Sequence, residues 1–475
     1  MRRTRRTAAL TGVAAVLLTL VPALPAQAQQ PVATPGPVRD DPFPKPPAAG
    51  ALPQNKTGPD KNYTPKKQCL QSNSGGGTVI PRPWGQMELQ VESLWRFATG
   101  ADIKVAVIDT GVNPHPRFGN RLQGGGDYVE GNRSGAYDCN GHGTLVAGII
   151  AADRGNDLEG FKGVAPDAKI LAIRQTDPYF ADDATKSTAG NSLTLGQAIR
   201  RAADDDAVKV INISESICAP KGNLADQSGV RAAVQYAFKE KDKVIVVAAG
   251  NTDGSENATV CKENNEPGKA RTVVSPAYMD DEVLTVGAIQ RGGGRASFSI
   301  GGPWVDIAGP GTDIVSLDPG QGGTGLANRV PDSSGRPVVI QGTSFAAPYV
   351  AGVAALVRER FPKLSAKQVM DRLTKTAQHP AGGDGRDFYL GYGMVDPMAA
   401  LTAVLPEEAG VQPAAPVRTA MPLNPPLVKD WTPTAVAVIG AGGGLGLLLI
   451  TLFVVRTSQR DRRRAHADEA LKPLV

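Results

Sequence analysis

The chain has 475 residues, of which 41% are hydrophobic and 20% charged, so it is long enough to bury a large core. Its formal charge of +5 is carried by the two ends: Arg2, Arg3, Arg5 and Arg6 at the start, and six Lys or Arg against three acids after residue 455, which leaves the stretch between at about −2. The basic pI of about 8.9 is therefore no nucleic-acid footprint, and nucleic acid is excluded as an expected partner.

Residues 1–28 combine that basic start with an apolar run from Ala8 to Leu24 and end in Ala26-Gln27-Ala28, the pattern of a secretory signal peptide with a small-residue cleavage site. Pro22 and Pro25 break the run, which argues against an uncleaved anchor. An N-terminal extension follows, residues 29–99, richest in proline up to Pro65 and expected to be extended unless it meets a surface.

From about residue 100 to 402 the pattern changes. Short, nearly continuous apolar runs at 104–108, 168–173, 208–213, 244–249 and 282–286 suit strands buried on both faces. They alternate with helical segments expected at 144–152, 192–203, 228–239, 344–360 and 365–376. The alternation predicts an α/β domain, a doubly wound and mainly parallel sheet flanked by helices, with its functional groups at the carboxyl ends of strands.

A second Pro/Ala-rich stretch, 403–433, reads as a stalk. Thr434 to Val455 then forms an uncharged run that as a helix covers about 33 Å, enough to cross a bilayer. The basic tail, 456–475, places the carboxyl end in the cytoplasm and the body outside by the positive-inside rule. The expected location is a cell membrane, with a single crossing. The four cysteines, Cys69, Cys139, Cys218 and Cys261, lie in the exported part, so two disulfides are expected, with three pairings open. No C-x-x-C pair is present, which disfavours a structural zinc site, and neither a metal nor a cofactor is expected.

Four motifs stand at strand ends or helix starts. Val105-Ala-Val-Ile-Asp-Thr-Gly-Val112 closes an apolar strand on Asp109, and no second Asp-Thr-Gly follows another such strand to build an aspartic dyad. Asn140-Gly-His-Gly-Thr144 opens an apolar helix, and among His115, His142, His379 and His466 it makes His142 the candidate base. Ala248-Ala-Gly-Asn251 ends a strand on an amide suited to hydrogen-bond a developing oxyanion. Gly342-Thr-Ser-Phe-Ala-Ala-Pro348 puts Ser344 at the start of an apolar helix, where a serine can be a cap or a nucleophile.

Taken together, Asp109, His142, Asn251 and Ser344 in that order resemble the subtilisin-like serine proteases over roughly residues 100–400. The resemblance implies a serine endopeptidase acting on protein or peptide substrates, with Ser344 as nucleophile, His142 as base, Asp109 orienting it and Asn251 in the oxyanion hole. It also implies that Ser214, Glu215 and Ser216 form the substrate-pairing strand, and that Ala248, Ala249 and Gly250 form the other wall of the pocket. Glu215 and Ser216 stand near where many relatives have glycine. With its signal peptide, extension, Pro83-Trp-Gly, stalk and final helix, the chain resembles more narrowly the mycosins, membrane-anchored members associated with type VII secretion complexes. That resemblance implies an extension wrapped on the domain and the pairings Cys69–Cys139 and Cys218–Cys261. The residues alone also permit a cleaved pro-segment.

Overall fold

The computed structural model describes residues 45–72, 82–155, 160–252, 261–264, 271–332, 334–380, 385–408, 410 and 432–469. The expected signal peptide and most of the expected stalk lie outside these residues. Seven parallel strands make one sheet: β1 (Lys104–Asp109), β2 (Leu122–Asp127), β3 (Lys169–Arg174), β4 (Val208–Ile213), β5 (Val244–Ala248), β6 (Leu284–Ile289) and β7 (Ile307–Pro310). Their order across the sheet is β7-β6-β5-β4-β1-β3-β2. The chain thus winds to one side of β1 and then reverses to the other, so the switch point falls between β1 and β4.

Strand periodicity explains why the apolar runs are continuous. Val105 and Val107 face one core with α1 (His142–Ala151) and α4 (Thr343–Arg360), while Ala106 and Ile108 face another with α2 (Ser192–Ala203) and α3 (Ser228–Gln235). Capping chemistry fixes the ends of two helices. Asn191 and Thr194 form a reciprocal capping box on α2, and Ser365 and Gln368 do the same on α5 (Ala366–Lys375). The segment expected as helix to residue 239 leaves the α-helical form at Gln235 and passes through a π-turn, Tyr236–Glu240.

Two strands of this sheet escaped the sequence reading. β2 is Leu-Gln-Gly-Gly-Gly-Asp, with no apolar run, and it holds its place as an edge strand paired to β3 alone. β7 is only four residues long and closes the opposite edge.

Part of the expected extension lies on the body. The strand Tyr63–Pro65 pairs antiparallel with the strand Asp177–Asp182, Asn55 Nδ2 donates to Asp204 at 2.8 Å, and Leu70 N–H donates to Cys139 O at 2.9 Å. Disulfides join Cys69 to Cys139 and Cys218 to Cys261, with Cα separations of 4.4 and 5.4 Å.

A second compact unit, residues 419–475, contains α6 (Thr432–Glu469). Within it the stretch Gly440–Arg463 is long and apolar enough to cross a membrane. The helix continues without a break past the expected span, through Arg456 and Arg460. The side chains of Leu445, Leu447 and Phe453 are exposed along it.

Candidate active site

The carboxyl ends of β1 and β4 frame the site. Asp109 is the last residue of β1 and is fully buried. Its Oδ1 accepts from Thr110 N–H at 2.7 Å and lies 2.8 Å from His142 Nδ1. Because a carboxylate at this position can only accept, the imidazole proton sits on Nδ1 and leaves Nε2 as the basic nitrogen.

His142 is the first residue of α1, and the glycines around it have separate tasks. Gly141 adopts φ = +95°, a conformation that a side chain would strain. A Cβ on Gly143 would collide with the Gly111 carbonyl oxygen and press on Asp109. Their absence of side chains is what lets the helix start approach the end of β1.

Electrostatics favour the charged imidazole. Burial alone would lower the pKa of His142, but the charge and hydrogen bond of Asp109, followed by the charges of Glu215 and Asp138, outweigh it and raise the pKa to about 9. Glu215 Oε1 is 3.4 Å from the same Nδ1.

Asp138 is a site residue that the sequence reading missed. It is fully buried and accepts from Thr110 Oγ1 at 2.9 Å, Gly141 N–H at 2.6 Å, and Thr144 N–H and Oγ1 at 2.9 and 2.7 Å. It thereby clamps the turn that leads into α1 against the residue after Asp109. Burial pushes its carboxyl up to about 7, with the charge of Asp109 adding to the rise and the hydrogen bonds from Thr144 and Gly141 opposing it. Its one sequence signal was the short spacing from Asp138 to His142.

Ser344 lies in the first turn of α4, 9% exposed, where backbone N–H groups have no helical acceptor. Among the described residues no hydrogen bond joins its Oγ to His142. The next residue makes the contact instead, with the Phe345 ring centred 5.0 Å from the imidazole. Asn251 follows β5 and accepts from Thr343 N–H and Oγ1 at 2.9 and 3.0 Å. Since a backbone N–H donates to it, that atom is Oδ1, and the Nδ2 group is left free to donate beside Gly342.

Pro348 lies inside α4 and has no N–H, so the Ser344 carbonyl loses its usual i+4 donor. Ser214 fills that place: its Oγ donates to Ser344 O at 2.7 Å while accepting from Asn212 Nδ2 at 2.9 Å. Ser214 was expected in the substrate-pairing wall, and its side chain is turned inward and 2% exposed. Ala248 and Ala249 are also core residues, at most 1% exposed, and pack on opposite faces of the sheet. The expected pocket wall can thus offer backbone but no side chain there. Gly250 (φ = +97°) is buried beside Val274 and Ile300. Glu215 and Ser216 remain partly exposed.

Two other histidines, His115 and His379, serve structure. His115 is buried, with Nδ1 accepting from Arg117 N–H and Nε2 beside Gly325 O at 3.0 Å, and His379 bridges Gly385 O and Lys375 O. Asp109, His142 and Glu215 present donor atoms within 4.8 Å of one another, the one such grouping among the described residues. The hydrogen bond between His142 and Asp109 already engages two of them.

Comparison with known proteins gives this geometry its context. Residues 100–393 match the model of the subtilase family, peptidase S8. Mycosin-1 of Mycolicibacterium smegmatis is 40% identical over 450 residues, covering 90% of this chain and 94% of the relative. Mycosin-3 of Mycobacterium tuberculosis is 40% identical, covering 87% and 92% respectively. Among solved structures, the MycP3 protease from the type VII (ESX-3) secretion system superposes with a TM-score of 0.69 at 41% identity, over 76% of this chain and all of that one. A chain of the periplasmic assembly from the ESX-5 inner membrane complex matches with the same TM-score at 39% identity, over 81% and 99%. The chain belongs to the subtilase family of serine proteases, and within it to the mycosins.

Proposed function

We propose that this protease is a membrane-anchored endopeptidase that cleaves peptide bonds on the outer side of the membrane, with Ser344, His142 and Asp109 as its triad. The observation that carries the reading is the 2.8 Å contact of His142 Nδ1 with the buried Asp109, at the switch point that also receives the start of α4. Ser344 Oγ attacks the scissile carbonyl and His142 Nε2 takes the proton. Asp109 stabilises the imidazolium and fixes its tautomer. Asn251 Nδ2 and the backbone N–H of Ser344 receive the oxyanion. The imidazolium then protonates the leaving amine, and water repeats the sequence to release the acid.

The proposed domain plan keeps a signal peptide at 1–28, an extension at 29–99 that stays on the domain, the protease at 100–402, a stalk at 403–433, the membrane helix at 434–455 and a cytoplasmic tail at 456–475. Support for the anchor comes from the apolar stretch of α6 followed by arginines, which also favours a cytoplasmic carboxyl end. The likeness to chains of ESX-5 inner membrane assemblies supports a place in a type VII secretion complex. It equally favours a second reading, in which the domain acts as a docking subunit of that complex.

One pair of experiments tests both. A fluorophosphonate probe applied to the full chain in detergent is expected to label the native protein and not Ser344→Ala; labelling that survives the substitution means another nucleophile. Ser344→Ala introduced into a deletion strain is expected to fail to restore secretion. Full restoration would favour the docking role.

A further inference from the structure

Glu215 lies two residues past the end of β4, after Ser214, at the switch point, and its carboxylate has one partner among the described residues, His142 Nδ1 at 3.4 Å. That nitrogen already donates to Asp109 at 2.8 Å, so its single proton is taken. Glu215 is held by attraction to the imidazolium charge, without a hydrogen bond of its own. A third of its side chain (34%) remains in water while Asp109 beside it is fully buried. The other charged groups that act on it most strongly are carboxylates: Asp109 at the end of β1, Asp138 before α1 and Asp177, itself paired with Arg174, at the start of the strand Asp177–Asp182. Burial, opposed by the His142 charge and aided by these acids, pushes the Glu215 carboxyl up to about 7. The site therefore presents a carboxylate that is partly exposed, poorly partnered and beside like charge.

The edge of the imidazole that Glu215 occupies also has a direction. Nε2 must face Ser344 and the departing amine, so the Nδ1 edge is turned away from the leaving group. We propose that Glu215 is the specificity residue of this site and selects a lysine or arginine side chain within two residues of the scissile bond on its acyl side. The inference rests on the protease reading above and deepens it by naming a substrate class. An ammonium or guanidinium group reaching this place gives the carboxylate a hydrogen-bonded partner. It also draws Glu215 off the imidazole. His142 is then held by Asp109 and the more distant Asp138 alone, and gives up its proton at a lower pH. A neutral peptide provides neither effect.

The test uses the full chain in detergent and matched peptidyl diphenyl phosphonates that carry lysine, norleucine or glutamate at each of the two positions before the electrophile, beside a peptide-free fluorophosphonate. In the native protein the lysine reagent should inactivate about tenfold faster than the norleucine one, the size expected of one hydrogen bond to a charged group. Glu215→Gln should bring that ratio close to one, and Glu215→Lys should reverse it in favour of glutamate. The pH midpoint for inactivation by the norleucine reagent should fall in Glu215→Gln, a shift that a purely structural role would not produce. Equal rates for lysine and norleucine in the native protein, or a lysine preference retained in Glu215→Gln, overturns the inference while peptide-free labelling of Ser344 still upholds the protease reading. Loss of that peptide-free labelling in the native protein overturns both.

Discussion

The pairing of Ser214 with the proline in α4 makes a prediction with an internal control. Ser214→Ala leaves the Ser344 carbonyl with neither its side-chain donor nor an i+4 N–H, in a place where Ser214 is 2% exposed. A buried carbonyl without a donor costs about 1–3 kcal/mol. Pro348→Ala restores the missing N–H, so in that background the same serine substitution should cost less by roughly 1 kcal/mol. Asn212 Nδ2 loses its acceptor in both backgrounds, so that contribution cancels in the double-mutant cycle. Urea unfolding followed by tryptophan fluorescence reads the stability, and the rate of fluorophosphonate labelling reads the placement of Ser344. Labelling should slow in Ser214→Ala and partly recover in the double variant. If Ser214→Ala costs the same with and without Pro348→Ala, the idea that the hydroxyl substitutes for a helical donor is refuted.

Two further outcomes follow from charge. The His142 pKa is raised to about 9 from an ordinary 6.5. The interaction therefore stabilises the fold fully below pH 6.5 and is lost as pH rises through about 9. The neutral imidazole needed as base appears over the same range, so labelling of Ser344 by a peptide-free fluorophosphonate should keep climbing between about pH 7 and 9. A plateau already reached by about pH 7 contradicts the environment set by Asp109, Glu215 and Asp138. Where the domain meets the start of the proposed stalk, buried Arg372 donates through Nε to Glu408 Oε1 at 2.9 Å and through Nη1 to Ala400 O at 2.9 Å. Arg372→Met strands the buried Glu408 and should destabilise by about 3–5 kcal/mol, whereas Arg372→Met combined with Glu408→Leu should recover most of the loss, both measured by urea unfolding.

What the sequence displayed was the part of the fold written in local chemistry. The apolar runs at 104–108 and 208–213 lie in strands because both their faces are buried, and the helices expected at 192–203 and 365–376 form as α2 and α5. The candidate residues stood out because Asp109, His142, Asn251 and Ser344 each sit at the end of a strand or the start of a helix. β2 was invisible because an edge strand with three glycines has no apolar pattern to show. The roles of Asp138 and Ser214 were hidden for a different reason. A carboxylate that gathers Thr110, Gly141 and Thr144, or a hydroxyl that stands in for a missing N–H, depends on neighbours that only the folded chain brings together. The inward turn of Ser214 also removes a residue from the expected substrate surface. What remains beside the imidazole on that strand is Glu215.

The order of strands has a consequence for when the protein acquires activity. Asp109 and His142 come from the first part of the domain, but α4, which brings Ser344, packs across β1, β4, β5, β6 and β7 and has no seat until all five are in place. A chain emerging from its amino end thus holds Asp109 and His142 early and Ser344 last. On the proposed triad, a copy truncated before α4 lacks Ser344 and is expected to escape fluorophosphonate labelling. On that reading, topology withholds the assembled triad from every intermediate that lacks the finished sheet.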